Sequence, residues 1–226
     1  MATIARAEQV LQTRGLIMAA AERLFAEFGV AAVSNRQISE AARQGNNAAV
    51  NYHFGTKTEL LRAIVHQHTS RIELRREAML RQYGDSPHVG DWVGCLVRPK
   101  TEHLASLGIP SWYARFAAQL ITDPALRELV SGDALTAQPL RQTVDGLNRL
   151  LPLFPAQVRL DRQEMAGQLI VHVCAGYERA LAAGEATSGS GWQDKTGWQD
   201  RTGWQDKANG LIDAIVGLLT APVATR

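Results

Sequence analysis

The sequence predicts an all-α protein, and three observations support this fold class. Apolar residues recur at spacings of three and four along most of the 226 residues, as they do on one face of a helix. Ser34 with Gln37, and Thr56 with Glu59, have the capping-box spacing that marks helix starts. No segment alternates apolar and polar residues as clearly as a half-buried strand does.

The N-terminal part of the chain is predicted to form four helices. The first covers residues 13–28 and ends at Gly29, because glycine readily takes the conformation found just past a helix end. The second covers residues 34–42. A short third helix over 46–53 is capped by its first residue, an asparagine, and a long fourth helix covers 56–82.

Six further helices are predicted in the rest of the chain. Pro99 should kink or break the first of them, because proline lacks an N–H donor and crowds the preceding turn. Asp123 and Pro124 form a start signal for the third. The predicted ranges are 89–107, 110–122, 125–131, 134–151, 161–183 and 207–220.

Residues 191–208 contain three consecutive copies of a six-residue unit, GWQDKT, GWQDRT and GWQDKA. A glycine in every unit disfavours a long helix, so we expect a surface loop over 185–207 that arose by a short duplication. The alternative is an extended arm that packs on its own domain or on a second subunit. Its tryptophans would be Trp192, Trp198 and Trp204.

Charge, cysteine and hydropathy patterns narrow the possible classes. The net charge is only +2, which does not by itself predict nucleic-acid binding. Cys95 and Cys174 stand far apart, and His66 and His68 fall on different faces of a helix, so we expect no disulfide framework and no metal site. No apolar run reaches the ~18 residues of a membrane span, and no signal peptide is evident. We therefore expect a cytoplasmic protein without a membrane partner.

The first three predicted helices have the layout of a helix-turn-helix, whose last helix enters the major groove of DNA. Asparagine suits that helix, because its amide matches the N6 and N7 edge of adenine. Tyr52 and His53 stand where they can reach phosphates, and Lys57 adds charge at a helix start that attracts anions. The alternative is a short solvated helix with no ligand. The residues expected to contact double-stranded DNA are Ser34, Arg36, Gln37, Asn46, Asn47, Ala48, Asn51, Tyr52, His53 and Lys57.

Two stretches resemble the DNA-binding region of tetracycline-repressor (TetR) family regulators, TRGLIMAAAERLFAEFGVAAVSNRQISEAA and NNAAVNYHFGTKTELLRAI. The resemblance covers residues 13–64. It consists of an LFAExG end to the first helix, IxxAA in the second, a YHF block and a GTK start to the fourth. Arg43 stands where the family often has glycine, and the turn RQGNN is one residue longer than the commonest pattern. Gly45 is expected to serve that turn instead.

The resemblance implies a DNA-binding domain over residues 1–60 and a helical domain over 61–226 that binds an effector and dimerises. It implies a homodimer on a pseudo-palindromic operator, which an unknown small-molecule effector releases through helix four. Repression is the commonest mode of the family. No cofactor and no metal are expected.

Aromatic and polar residues in the segments around the expected effector pocket are candidate ligand contacts, although aromatic residues at helical spacing more often belong to a core. They are Trp92, Leu96, His103, Trp112, Tyr113, Phe116, His172 and Tyr177. The apolar faces of the last two helices are expected to form a four-helix bundle with the partner subunit. The candidate dimer contacts are Leu169, Val173, Leu211, Ile215 and Leu218.

Two other classes of function are the alternatives. An enzyme is not expected, because the sequence has no GxSxG, no HExxH, no phosphate loop and no dinucleotide fingerprint. The second is a helical ligand-binding or protein-interaction module without DNA binding. The asparagines and Lys57 on the expected reading surface argue against that module.

Overall fold

The computed structural model describes residues 2–44, 48–127, 137–185 and 199–223, and within these ranges it contains helices and no strand. This confirms the all-α class. The labelled helices are α1 (Ala2–Phe28), α2 (Asn35–Ala41), α3 (Ala49–Phe54), α4 (Lys57–Tyr83), α5 (Val89–Ala105), α6 (Tyr113–Thr122), α7 (Gln138–Leu150), α8 (Ala156–Ala182) and α9 (Gln199–Thr220).

The predicted end signals of the N-terminal helices are confirmed. Gly29 has a φ of 92°, and its N–H donates to the Phe25 carbonyl at 2.9 Å. Ser34 and Gln37 form both bonds of a capping box at the start of α2. At the start of α4, the Thr56 hydroxyl accepts from the Glu59 N–H at 3.1 Å. The sequence therefore places these three boundaries correctly.

Several predicted helix starts are wrong. The first helix, α1, starts at Ala2 and not at residue 13. The helix α8 starts at Ala156, and Asp161 lies inside it, where it accepts a hydrogen bond from Gln157 at 2.7 Å instead of capping an N-terminus. The short helix α3 starts at Ala49 with Ala48 in the N-cap position. Asn46, the predicted cap, lies outside the described residues.

Pro99 lies inside α5 and does not break it, so of the predicted kink or break only the kink stays a prediction. Because proline has no N–H, the carbonyl of Cys95 one turn earlier loses its usual partner in the helix. The Arg76 side chain of α4 supplies that partner, since its Nε donates to the Cys95 carbonyl at 3.0 Å. A buried arginine from a neighbouring helix thus allows α5 to continue to Ala105.

The third copy of the repeat is helical, so the prediction of a surface loop up to residue 207 is wrong there. Trp204 is buried and meets the Tyr177 ring edge-on, with 4.8 Å between the ring centroids. A Cβ on Gly203 would lie 1.9 Å from the Tyr177 hydroxyl, so this glycine is required by packing. Trp192 and Trp198 lie outside the described residues.

One contiguous apolar core joins the N-terminal helices to the rest of the chain. In the second part, α5 packs against α4, α7 and α9, while α8 packs against α6 and α9. The helix α1 also contacts α6, where the Phe25 and Phe116 rings stack with 5.9 Å between centroids. The domain boundary expected at residue 60 stays a prediction, and α4 continues through that position as one helix. No helix in the described ranges is both long and apolar enough to cross a membrane.

A buried carboxylate caps the start of α6. Trp112 occupies the N-cap position of α6, but its side chain makes no capping hydrogen bond. Glu178 of α8 instead accepts hydrogen bonds from the Ala114 N–H at 3.1 Å and the Arg115 N–H at 2.9 Å. Its other partners are the Ser111 hydroxyl at 2.9 Å and Arg115 Nε at 3.2 Å. The charge is therefore satisfied at the positive end of a helix dipole.

Glu178→Gln should destabilise the fold by about 3 kcal/mol, because an amide N–H₂ would replace an oxygen that now accepts from buried N–H donors. Urea unfolding followed by circular dichroism measures this difference. Glu102→Gln, an exposed change in α5, serves as the control and should stay within about 0.5 kcal/mol of wild type. Equal stability of the two variants would contradict the capping role of Glu178.

Candidate nucleic-acid interface

The short helix α3 buries one side in the core and leaves the other in solvent. Ala49, Val50 and Phe54 are buried, whereas Asn51 is exposed and Tyr52 has 76% of its surface accessible. Ala48, one turn before these exposed residues, is also exposed. A six-residue helix is unstable by itself, so packing of its apolar side holds it in place.

Asn35, at the start of α2, orients one predicted DNA contact. Its Nδ2 donates to Asn51 Oδ1 at 2.8 Å. This bond fixes which end of the Asn51 amide faces α2 and leaves the Nδ2 group of Asn51 free of that contact. Asn35 was not among the predicted site residues, because the first turn of a helix commonly carries polar side chains. Its partner comes from a different helix.

The predicted DNA contacts on α2 are exposed but already have partners. The Ser34 hydroxyl and the Gln37 side chain form the capping box. Arg36 forms an ion pair with Glu40, 2.8 Å between Nε and Oε1, and this carboxylate raises the pKa of the guanidinium. A DNA phosphate would therefore compete with Glu40 for Arg36. Because the pair is largely exposed, it stabilises the fold little.

Lys57 lies in a different environment from the expected one. Its ammonium donates to the Val33 carbonyl at 2.6 Å and also to the Val30 carbonyl, in the loop between α1 and α2. It stands 5.5 Å from the centroid of the Phe25 ring, and burial lowers its pKa. Lys57 thus holds the loop to the start of α4, and its predicted DNA contact stays a prediction.

Arg14 of α1 holds the end of α3 in place, a role that no sequence pattern indicated. Its guanidinium donates to the His53 carbonyl, which belongs to the last turn of α3 and lacks a partner within that helix. The same group lies over the Phe54 ring at 4.1 Å from its centroid. His53 itself is half-buried, and the Tyr52 ring meets its imidazole edge-on.

The turn before α3 depends on an unusual residue. Arg43 has a φ of 54°, in the left-handed region that favours glycine. The position where glycine was expected from the resemblance is thus occupied by an arginine in a glycine-like conformation. Gly45, Asn46 and Asn47 lie outside the described residues, so their predicted roles remain predictions.

The predicted effector residues do not gather around one cavity. Phe116 stacks on Phe25 in the core, and His172 is exposed on α8. Trp92 is buried so closely against Gly146 that a Cβ there would lie 2.1 Å from the indole ring. Leu96 is half-buried. These four side chains serve packing or the surface.

Three other predicted effector residues surround a buried chain of polar groups that joins α1, α4 and α5. His68 of α4 uses both of its ring nitrogens. Its Nε2 lies 2.8 Å from the Glu22 carboxylate, and its Nδ1 lies 2.7 Å from Nε2 of His103. Its ring stacks on Tyr113, with 3.7 Å between centroids. Trp112, next to Tyr113, borders a cleft of about 240 Å³ that Glu22 and His68 also line.

The hydrogen-bond network assigns the protons of this chain. If His68 Nε2–H donates to the carboxylate, then His68 Nδ1 accepts from His103 Nε2–H. That leaves His103 Nδ1 as a buried acceptor without a partner among the described residues. Burial lowers the pKa of His103 to about 3, and the charges of nearby basic groups act in the same direction. His103 is therefore neutral at physiological pH.

Two of the predicted dimer contacts are corrected by their burial. Leu211 and Ile215 are 3% and 0% exposed, so they belong to the core of their own chain and cannot reach a second subunit. Leu169, Val173 and Leu218 are half-buried at the margin of the core. Their predicted role in dimerisation stays a prediction. In the described ranges, no group of three or more His, Cys, Asp or Glu side chains could hold a metal ion.

Residues 17–64 match the family described as bacterial regulatory proteins, tetR family. The match spans α1 to α4 and includes the exposed side of α3. Residues 17–64 thus carry the helix-turn-helix DNA-binding domain of this family of transcriptional regulators. No curated protein matches the chain significantly.

Solved structures of low identity are similar to this chain over most of its length. One is a putative TetR-family transcriptional regulator from Mesorhizobium loti, with 15% identity, 92% of this chain and 97% of that chain covered, and a TM-score of 0.47. RolR in complex with resorcinol has 17% identity, coverages of 97% and 98%, and a TM-score of 0.43. The multidrug binding protein EbrR with imidazole has 18% identity, coverages of 93% and 92%, and a TM-score of 0.42. At these scores, nothing about the ligand of this chain follows.

Lys57→Met should destabilise the protein by about 2 kcal/mol, because it removes a charged donor from two loop carbonyls. In contrast, it should leave the slope of log affinity for DNA against log salt unchanged at temperatures where the variant is folded. A phosphate contact at Lys57 would lower that slope by about 1. Urea unfolding and a salt titration of DNA binding measure the two effects. Arg62→Met, at an exposed position of the same helix, is the control.

The protein should lose stability below pH 6.5 through His103. Between its ordinary pKa of 6.5 and its folded pKa of about 3, the unfolded chain binds a proton at His103 and the folded chain does not. Stability therefore falls as pH falls, by at most ~1.4 kcal/mol per pH unit for this group. His103→Gln, whose Nε2 can still donate to His68, should show a smaller decrease from pH 7 to pH 5. Identical decreases in urea-unfolding free energy would contradict this assignment.

Proposed function

We propose that this regulator is a repressor that binds a pseudo-palindromic operator as a homodimer and is released by a small-molecule effector. The observation that carries the proposal is the position of α4. Its first residue, Lys57, holds the loop between α1 and α2, and a residue three turns later, His68, contacts groups of α1, α5 and α6. A ligand that changes the packing around His68 therefore acts on the same helix that supports the DNA-binding helices.

The exposed side of α3 is the proposed surface for base recognition. Asn51 offers a donor and an acceptor in one plane, and Asn35 fixes its orientation before DNA arrives. Ala48 is small enough to let the helix approach thymine methyl groups, and the exposed Tyr52 hydroxyl can reach a phosphate. Asn46 and Asn47 precede this helix in the sequence, and their DNA contacts remain predictions.

Dimerisation is supported by apolar side chains that one chain leaves in solvent. Leu160 and Met165 of α8 are 56% and 51% exposed. They lie in the same helix as Leu169 and Val173. A second copy would cover this surface, and Leu218 of α9 would lie at its margin. Two-fold symmetry would then present two copies of α3 to successive half-sites of the operator.

Release by an effector requires only that the ligand bind more tightly to the conformation that does not bind DNA. The DNA-binding helices α2 and α3 contain only seven and six residues, so neither is stable without packing against other helices. Their position is set by α1 and α4, through Arg14 and Lys57. A small rotation of α4 would thus change the distance between the two α3 helices of a dimer.

Selection of bound duplexes from a random DNA pool, at near-physiological salt, should enrich an inverted repeat. Asn51→Ala should relax the preference at one base pair of each half-site, a discrimination worth roughly 1–3 kcal/mol. The control is Asn209→Ala, which removes an exposed amide of α9 far along the chain. Transcription from a promoter carrying the selected repeat should fall when the protein is added.

Three results would contradict parts of this proposal. Absence of any enriched sequence would favour a helical ligand-binding or interaction module without DNA binding. Uniform loss of affinity at all sites in Asn51→Ala would remove this residue from base recognition. Increased transcription with the protein bound would replace repression by activation.

A further inference from the structure

A cleft of about 240 Å³ lies where the N-terminal helices meet the rest of the chain. Its walls come from α1, α4 and the segment that precedes α6. The apolar wall consists of Met18, Ala19, Ile64, Leu107, Pro110 and Trp112. The polar groups in its lining include Glu22, His68 and Arg71. Trp112 is the one predicted effector residue among the lining residues. The helices α1 and α4 were not expected to contribute to a ligand site.

The charged groups of this cleft differ in whether they have a hydrogen-bond or ion-pair partner. The Glu22 carboxylate has a partner, since His68 Nε2 lies 2.8 Å from Oε2. The guanidinium of Arg71 is exposed, and within the described residues it has no hydrogen bond or ion pair of its own. Of these two groups, Arg71 is therefore the one whose charge is left free to pair with a ligand, while Glu22 is engaged by His68. This charge favours an anionic ligand, because a guanidinium pairs with a carboxylate through two parallel N–H···O bonds.

The apolar wall limits the rest of the ligand. The half-buried indole of Trp112 offers a flat surface that suits an aromatic ring. An engineered protein cavity of about 150 Å³ holds one benzene molecule. A cleft of about 240 Å³ therefore has room for one ring with a small substituent.

A larger cleft beside α3, of about 550 Å³, has no comparable free charge. Its arginines are already engaged, because Arg14 donates to the His53 carbonyl and Arg62 pairs with Glu59. The smaller cleft is thus the better receptor for an anion, although the other is nearer to the expected DNA surface.

We propose that the cleft between α1, α4 and Trp112 binds a small aromatic monocarboxylate, with the carboxylate on Arg71 and the ring against Trp112. The role of this ligand as the effector rests on the proposed function, whereas its binding does not. The bound ring would lie beside Glu22 and His68, the pair that joins α1 to α4. Occupancy of the cleft would thereby move the two helices that carry the DNA-binding surface.

Isothermal calorimetry of the full-length protein with benzoate, without DNA, tests the site. Wild type should bind, and Arg71→Gln should weaken binding about tenfold or more, because the bidentate contact is lost. Arg81→Gln, which removes the same charge from an exposed position of α4, should bind as wild type does. Trp112→Ala should weaken binding, and Trp112→Phe should retain most of it. Benzylamine, which has the same ring and the opposite charge, should not bind.

Absence of benzoate binding to wild type would overturn the inference, and so would equal binding by the Arg71→Gln variant or by benzylamine. A separate measurement with operator DNA distinguishes this inference from the proposed function. If benzoate binds in an Arg71-dependent manner and releases DNA, both are supported. If it binds in that manner and leaves DNA affinity unchanged, the site is supported and its role in release is overturned.

Discussion

The hydrogen-bonded contact between Glu22 and His68 is the constraint on which the arrangement of the two parts of this protein depends. Glu22 belongs to α1 and His68 to α4, and both side chains are largely removed from water. A carboxylate in such a place is costly without a partner. The imidazole supplies one, and its other nitrogen reaches His103 of α5. The DNA-binding helices and the remaining helices are thus joined by a polar contact inside a largely apolar core.

Several polar side chains of this protein satisfy backbone groups of a neighbouring helix or loop, and this explains why short and interrupted helices persist. Arg14 serves the end of α3, Arg76 serves the carbonyl left free by Pro99, and Glu178 serves the start of α6. Lys57 serves the loop between α1 and α2. In each case a charged group replaces a hydrogen bond that the local sequence cannot make, so local order depends on the packed tertiary structure.

The exposed side of α3, the proposed DNA-binding surface, also depends on side chains of neighbouring helices. The exposed amide of Asn51 is oriented by Asn35 of another helix, and α3 itself is held by Arg14 and by its buried apolar side. Recognition of DNA by this helix would therefore respond to changes in α1 and α4. Glu22 and His68 join those two helices beside a cleft, so a ligand bound there, as proposed, would lie next to the contact that holds α1 and α4 together.

The sequence by itself determined the all-α class, the capped starts of α2 and α4, the end of α1 at Gly29 and the family of the N-terminal helices. These features depend on residues close together in the chain, through helical periodicity and capping. Only the tertiary structure decided that Lys57 binds loop carbonyls, that Trp204 is buried in a helix, and that Leu211 and Ile215 belong to the core. These outcomes depend on partners distant in sequence, such as Val33 and Tyr177, which local patterns do not identify. Glu22, His68 and Arg71 were not predicted as site residues for the same reason. They line one cleft only when α1 and α4 are packed together.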